Sequence, residues 1–217
     1  MNGMPRQFWI VGPVVLSLIG VSACARMPYE TQTVYQGSRA AVVLEHEVEP
    51  AQYSHPIRLS ADELVSILRG FSIRPQQRLP LRWFAEERRP ERLFREEELT
   101  LLAPFIVDGF QKAGVDERVH FALFAQGHNR SDARTVTSGW MAIREQYLYL
   151  TVEYLHTEVP VHSVDQYFPN NPNLPPVPGS FLVFFEPGRY WVTDLKGVRA
   201  LEFREFLGTA PRSSPQS

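Results

Sequence analysis

Cysteine is nearly absent from the sequence: among 217 residues there is one, Cys24. A single thiol cannot form a disulfide within the chain, so the fold has to be held together by packing alone. The net charge is only −2, so no overall electrostatic field draws nucleic acid or an anionic membrane to the protein. With 44% apolar and 21% charged residues, the composition is typical of a globular protein and argues against an intrinsically disordered chain.

Catalytic motifs are absent as well. The sequence contains no GxSxG nucleophile elbow, no HExxH zinc motif and no glycine-rich phosphate loop. We therefore predict no catalytic residue, no metal site, no cofactor and no nucleic-acid partner. One alternative stays open: a hydrolase without a recognisable motif, in which His120 or His156 meets Asp132 or Glu153 in a cleft.

The first 23 residues have the pattern of an export signal. Arg6 and the amino terminus supply positive charge, an apolar run extends from Phe8 to Val21, and the small residues Ser22 and Ala23 come last. A membrane-spanning helix would need about 20 apolar residues, and this run is shorter. The pattern therefore predicts a signal peptide over residues 1–23.

The four residues VSAC at positions 21–24 resemble the lipobox of bacterial lipoproteins. The resemblance implies that the thiol of Cys24 receives a diacylglycerol and that a signal peptidase cuts between Ala23 and Cys24. It also implies that the protein is held in a membrane of the cell envelope. Because Ala25 follows the cysteine, the outer membrane is the expected location if the source has two membranes. Two or more acyl chains are enough for stable attachment.

Beyond the signal, the sequence divides into three further parts. Residues 24–55 predict a lipid-anchored tether in which Ala40–Leu44 could add one strand, residues 56–208 a single α+β domain, and residues 209–217 a disordered tail. The pattern SADE at residues 60–63 predicts a capped helix that ends at Gly70. A second helix is predicted over residues 96–112, kinked or split by Pro104.

The second half of the chain has the alternation of β-strands. One strand is predicted at residues 119–125, and a hairpin from 135–143 and 147–156. Later, Pro187 and Gly188 separate two aromatic runs and predict a type II turn. Gly139, within a predicted strand, marks either a bulge or close packing. We therefore expect an antiparallel sheet of about five or six strands with two helices on one face.

Two segments are candidates for a binding surface. The first is the arginine-rich stretch 69–95, where Arg88, Arg89, Arg92 and Trp83 could meet an anionic polymer, although solvated arginines paired with nearby glutamates are the simpler explanation of the stretch. The second is the proline-rich stretch 159–179 with Tyr167 and Phe168, which is either a docking surface or a passive connection. The sequence thus favours a non-enzymatic envelope lipoprotein that binds a partner protein or an anionic polymer.

Overall fold

The computed structural model describes residues 28–75, 89–126, 133–160 and 181–209. These residues form an α+β fold with a large and a small antiparallel sheet, as the sequence predicted for the class. The elements, in chain order, are β1 (Tyr29–Gln36), β2 (Ala40–His46), α1 (Ala61–Arg69), β3 (Phe71–Pro75), β4 (Glu91–Arg92), α2 (Glu96–Lys112), β5 (Glu117–Gln126), β6 (Ala133–Arg144), β7 (Tyr147–Pro160), β8 (Phe181–Phe185), a 3-10 turn (Gly188–Tyr190), β9 (Trp191–Thr193), β10 (Arg199–Glu202) and α3 (Phe203–Thr209).

The large sheet has seven strands in the order β1-β2-β5-β6-β7-β10-β9, and the small sheet has the order β4-β3-β8. The described residues therefore contain more than the expected five or six strands, and three helices instead of two. One face of the large sheet packs against α2, and α1 packs against α2 in the same core, which includes Leu44, Ile106 and Phe121. The opposite face carries the alternating residues of the same strands.

The N-terminal part of the sheet differs from the tether predicted for residues 24–55. The apolar island forms β2, which pairs with β5 from Ala40 opposite Leu123 to His46 opposite Glu117 and is almost fully buried. In addition, β1 pairs with β2 as the edge of the sheet. Because β1 is mostly exposed and polar, it lacks the alternation that identifies a strand in sequence. The ordered sheet therefore begins at Tyr29.

The short helix α1 is formed as predicted. The Ser60 hydroxyl accepts a hydrogen bond from the Glu63 amide at 3.2 Å, and the Glu63 carboxylate accepts one from the Ser60 amide at 2.8 Å, which completes the capping box. Leu64, Ile67 and Leu68 are buried at helical spacing. Gly70 ends the helix.

The long helix α2 has the predicted bounds, but it is continuous through Pro104. Of the kink or split predicted at this proline, the split is wrong. Pro104 lies on the exposed side of the helix, where water can satisfy the carbonyl that the proline nitrogen leaves unbonded. Packing of the opposite side, including Leu102 and Ile106, holds the helix against the sheet.

The type II turn predicted at Pro187 and Gly188 is also wrong. Such a turn requires a positive φ at its glycine, and among the described glycines this conformation occurs at Gly197. Gly188 instead begins the 3-10 turn. The aromatic runs on either side belong to different sheets, because β8 pairs with β3 whereas β9 pairs with β10.

A buried histidine ties the segment before α1 to the large sheet. Nε2 of His55 accepts a hydrogen bond from the Ile143 amide at 3.1 Å, so the neutral ring carries its proton on Nδ1 and donates to the Glu117 carbonyl at 2.9 Å. Burial lowers the pKa of His55 to about 4. Protonation would remove the acceptor that the Ile143 amide needs.

We expect the free energy of unfolding to fall as the pH drops from about 6.5 towards about 4. The unfolded chain takes up a proton on His55 near pH 6.5, whereas the folded chain resists until about 4. The contribution of neutral His55 to the free energy of unfolding is therefore fully present above its unfolded pKa. As the pH falls to the folded pKa, the loss of this contribution approaches roughly 3 kcal/mol. Urea unfolding across this range should show a shallower pH dependence for His55→Leu, which starts less stable. The exposed control His156→Gln should keep the wild-type slope, and parallel curves for His55→Leu and wild type would contradict this assignment.

Candidate functional site

A cleft of about 730 Å³ is lined by the N-terminal part of α2, the end of β5, the start of β6 and the later part of β7. It lies at the end of the sheet where β2 begins, because Ala40 pairs with Leu123. Its described lining consists of Arg39, Arg95, Glu97, Glu98, Leu101, Leu123, Phe124, Ala125, Thr135, Thr137, His156 and Glu158. A volume of this size is within the range of pockets that hold a small molecule or a few side chains.

The wall of the cleft is partly apolar and partly hydroxylated. Leu101 comes from α2, and Leu123 and Phe124 come from β5. Thr135 and Thr137 of β6 are buried, and the Thr137 hydroxyl accepts a hydrogen bond from the His156 amide at 3.2 Å. This combination offers a contact surface for an apolar group that also carries hydrogen-bonding atoms.

His156 has an unusual backbone conformation in this wall. Its φ is +46°, in the left-handed region that residues other than glycine seldom adopt. Strand pairing explains the conformation: Val136 pairs with Thr157 and Ser138 with Tyr154, so two residues of β7 lie opposite one residue of β6. The resulting β-bulge places His156 between the cleft and a second cavity of about 200 Å³.

The rim of the cleft carries charges of both signs. Arg39 and Arg95 are exposed, and within the described part of the chain neither forms an ion pair. Three carboxylates, those of Glu97, Glu98 and Glu158, line the same opening. Glu98 accepts a hydrogen bond from the Arg95 amide at 2.8 Å. A rim with two guanidinium groups and three carboxylates does not favour a purely anionic ligand.

The structure brings part of the predicted arginine-rich surface to this region. Arg89 and Arg92 are exposed and line the second cavity next to His156, together with Glu91. Arg92 lies 3.4 Å from Glu96, so the pairing with glutamates that the sequence left open applies to this arginine. The other residues proposed from sequence lie outside the described residues: Ala23, Cys24, Trp83, Arg88, Asp132, Tyr167 and Phe168.

A second polar cluster lies on the face of the large sheet opposite the helices. His120 alternates with the core residues Val119 and Phe121, and its Nε2 lies 2.9 Å from a carboxylate oxygen of Glu153. The neighbouring strand contributes Glu45, whose carboxylate is 3.9 Å from Nδ1 of His120. This is one of the contacts that the hydrolase alternative requires, but neither His120 nor Glu153 lines the cleft.

The electrostatics of the His120–Glu153 pair favour an ion pair over an acid-base catalyst. Burial alone lowers the pKa of His120, but the hydrogen bond to Glu153 and the charges of Glu45 and Glu153 outweigh it, so the pKa is raised. Burial likewise acts to raise the pKa of Glu153, and the contacts with His120 and the charge of Arg118 bring it below its ordinary value. Both groups are thus stabilised in their charged forms. A raised pKa favours the protonated ring, which has no free nitrogen to accept a proton, so this environment does not favour His120 as a general base.

The cleft itself had little signal in the sequence. Arg39, Leu101, Thr135 and Thr137 are ordinary residues of a turn, a helix and a strand, and they form a wall through pairing between distant segments.

Across the described residues, no group of three or more histidine, cysteine, aspartate or glutamate side chains is placed to hold a metal ion. No helix in the described ranges is long and apolar enough to cross a membrane. Comparison with protein-family models, with curated proteins and with solved structures found no match.

Proposed function

We propose that this chain is a lipid-anchored protein of the cell envelope that binds a partner protein through the cleft between α2 and the ends of β5, β6 and β7. The observation that carries the binding role is the composition of the cleft: apolar side chains within, and arginines and glutamates of both signs around them. Protein interfaces have the same arrangement, an apolar centre with a polar rim. Anchoring rests on the resemblance of VSAC to a lipobox.

A partner protein suits this site better than an anionic polymer. A polymer of uniform negative charge would meet Glu97, Glu98 and Glu158 as well as the arginines, and like charges brought together cost binding energy. A protein segment can present an acidic group to Arg39 or Arg95 and a basic group to the glutamates. Leu101 and Phe124 offer an apolar side chain of the partner a place out of water.

The position of the cleft fits an anchored binding domain. The segment from the lipidation site joins the sheet at Tyr29, which pairs with His46 at one end of β2. The cleft lies beside Arg39 and Ala40 at the other end. With about 3.3 Å per strand residue, the two ends are roughly 20 Å apart. The cleft is therefore accessible to a partner while the anchor occupies the membrane.

Photocrosslinking in intact envelopes tests the proposal. A photoreactive amino acid replaces Leu101 or Ala125 in the cleft, and Leu195 in the exposed loop between β9 and β10 as the matched control. We expect a discrete protein adduct from the two cleft positions that is absent from the control, and we expect Arg39→Glu together with Arg95→Glu to reduce its yield several-fold. The same adducts at all three positions, or a yield unaffected by charge reversal, would contradict binding at the cleft.

A further inference from the structure

We propose that the end of the large sheet where β1 begins rests on the bilayer surface, with Tyr29, Val48 and Val115 in the headgroup region. This inference deepens the proposed function and rests on the lipidation of Cys24. The ligand is a lipid surface, and the contact is made by the folded domain itself, in addition to the acyl chains.

The length of chain between the anchor and the sheet sets the first constraint. Tyr29, the first residue of β1, is five positions after Cys24. Five residues span at most roughly 17 Å even when fully extended. Acyl chains on Cys24 would hold that residue at the membrane surface, so the start of β1 cannot move far from the headgroups. A tether of about thirty residues, as the sequence alone suggested, would have imposed no such limit.

The second observation is the apolar character of this end of the molecule. Tyr29, Val48 and Val115 are 57%, 43% and 55% exposed, and they are three of the six exposed large hydrophobic residues in the described part of the chain. The Tyr29 ring stacks on His46, with ring centroids 5.3 Å apart. The Glu47 amide donates a hydrogen bond to the Asp116 carbonyl at 2.9 Å, which brings the segments that carry Val48 and Val115 side by side.

Tyrosine is a suitable residue for this position. Its ring is apolar and its hydroxyl is polar, and such side chains are enriched where a membrane meets water. The two valines add aliphatic surface without charge. Together they form a small patch at the same end of the sheet as the lipidated residue, where exposure to water has a cost that contact with lipid would remove.

Nearby acidic groups indicate which lipid surface fits. The Glu47 carboxylate accepts a hydrogen bond from the Tyr53 hydroxyl at 2.9 Å, and an Asp116 carboxylate oxygen accepts one from the Ala51 amide at 2.8 Å. Glu49 is exposed. At the rim, Lys112 is paired with Asp108 at 2.7 Å. In the described part of this end of the sheet, the groups named above are acidic or, for Lys112, paired, so attraction to anionic lipids is not expected. The contact therefore suits zwitterionic lipid and should be insensitive to salt.

Fluorescence quenching in vesicles tests the contact. Acylated protein is extracted from envelopes, reconstituted into phosphatidylcholine vesicles and labelled with an environment-sensitive fluorophore at Val48→Cys, Val115→Cys or the control Leu195→Cys. Leu195 lies in the loop between β9 and β10, at the opposite edge of the sheet from β1. Acylation leaves no thiol at residue 24 to react with the label. We expect blue-shifted emission and several-fold stronger quenching by spin-labelled lipid at positions 48 and 115 than at 195, unchanged by added salt.

Two outcomes separate failure of this inference from failure of the proposed function. If residue 24 is acylated and the protein floats with the vesicles, but all three labels are quenched equally, the contact is refuted while the anchor stands. If mass spectrometry finds a bare thiol at residue 24 and the protein does not float, both the anchor and the contact are refuted. Equal unfolding curves for the labelled variants exclude misfolding as the cause.

Discussion

The Gly139→Ala variant is expected to be less stable than the wild type by roughly 3 kcal/mol or more, and to accumulate poorly as folded protein. Gly139 lies in β6 in the middle of the large sheet, opposite Phe121 of β5 and Val152 of β7. A Cβ atom added there would overlap the Thr151 carbonyl oxygen and come within 3.1 Å of the Val152 Cα. These are backbone atoms, so no change of side-chain rotamer relieves the overlap.

The cause of this close approach is a register shift at the same point. Between Ser138 and Gly139 the pairing with β7 moves from Tyr154 to Val152. A β-bulge of this kind bends the bulged strand and increases the local twist. Of the two interpretations that the sequence allowed for this glycine, a bulge and close packing, both apply.

Equilibrium unfolding in urea measures the effect, with Gly208→Ala as the matched control. Gly208 is exposed in α3, and a Cβ there would meet no atom within 4 Å. Because alanine favours helices, the control should be as stable as the wild type or gain up to about 1 kcal/mol. A midpoint for Gly139→Ala that coincides with that of the wild type would show that the strands can move apart at this position.

The second large effect is expected from Arg118→Met, which should cost about 3 to 5 kcal/mol. The guanidinium of Arg118 donates to Glu45 at 2.9 Å, and the two side chains are only 11% and 10% exposed. Arg118 also lies 3.5 Å from Glu47 and over the Trp140 ring, at 4.9 Å from its centroid. Methionine keeps much of the side-chain volume but removes the guanidinium that donates to the buried Glu45 carboxylate.

The double variant Glu45→Gln with Arg118→Met identifies the cause of the loss. With Glu45 neutral, the most deeply buried carboxylate that lost the guanidinium no longer carries a charge, so the double variant should be more stable than Arg118→Met alone. Arg69→Met removes an exposed arginine from its ion pair with Glu96 and should leave the unfolding midpoint near that of the wild type. Urea unfolding of all four proteins makes the comparison. A double variant as unstable as the single one would mean that lost packing dominates.

The two helices and the long strands of the sheet could be predicted because their signals are local. The capping box of α1 joins Ser60 to Glu63, and the apolar stripe of α2 recurs every three or four residues. The hairpin of β6 and β7 was predicted from two β-rich runs separated by the short turn at Glu145. Each of these signals lies within a few residues of sequence, so it can be recognised without knowledge of the tertiary structure.

The strand β1 and the bulge at His156 could not be predicted in this way. Most of β1 is polar because one edge of the strand and much of its surface face water, so its hydrogen bonds to β2 are the main reason that it is a strand. The left-handed conformation of His156 follows from an extra residue in β7 relative to β6. Register between strands depends on both partners, and neither segment specifies it alone.

By itself, the sequence determined the class of the fold, the bounds of its two longer helices and the pattern that predicts a lipid on Cys24. Only the tertiary structure decided that the sheet starts five residues after that cysteine and that a cleft opens at its other end. The physical reason is the separation along the sequence between the residues that interact. Periodicity and capping act over a few neighbouring residues, whereas the cleft brings together Arg39, the start of α2 and the ends of β5, β6 and β7 from separate parts of the chain.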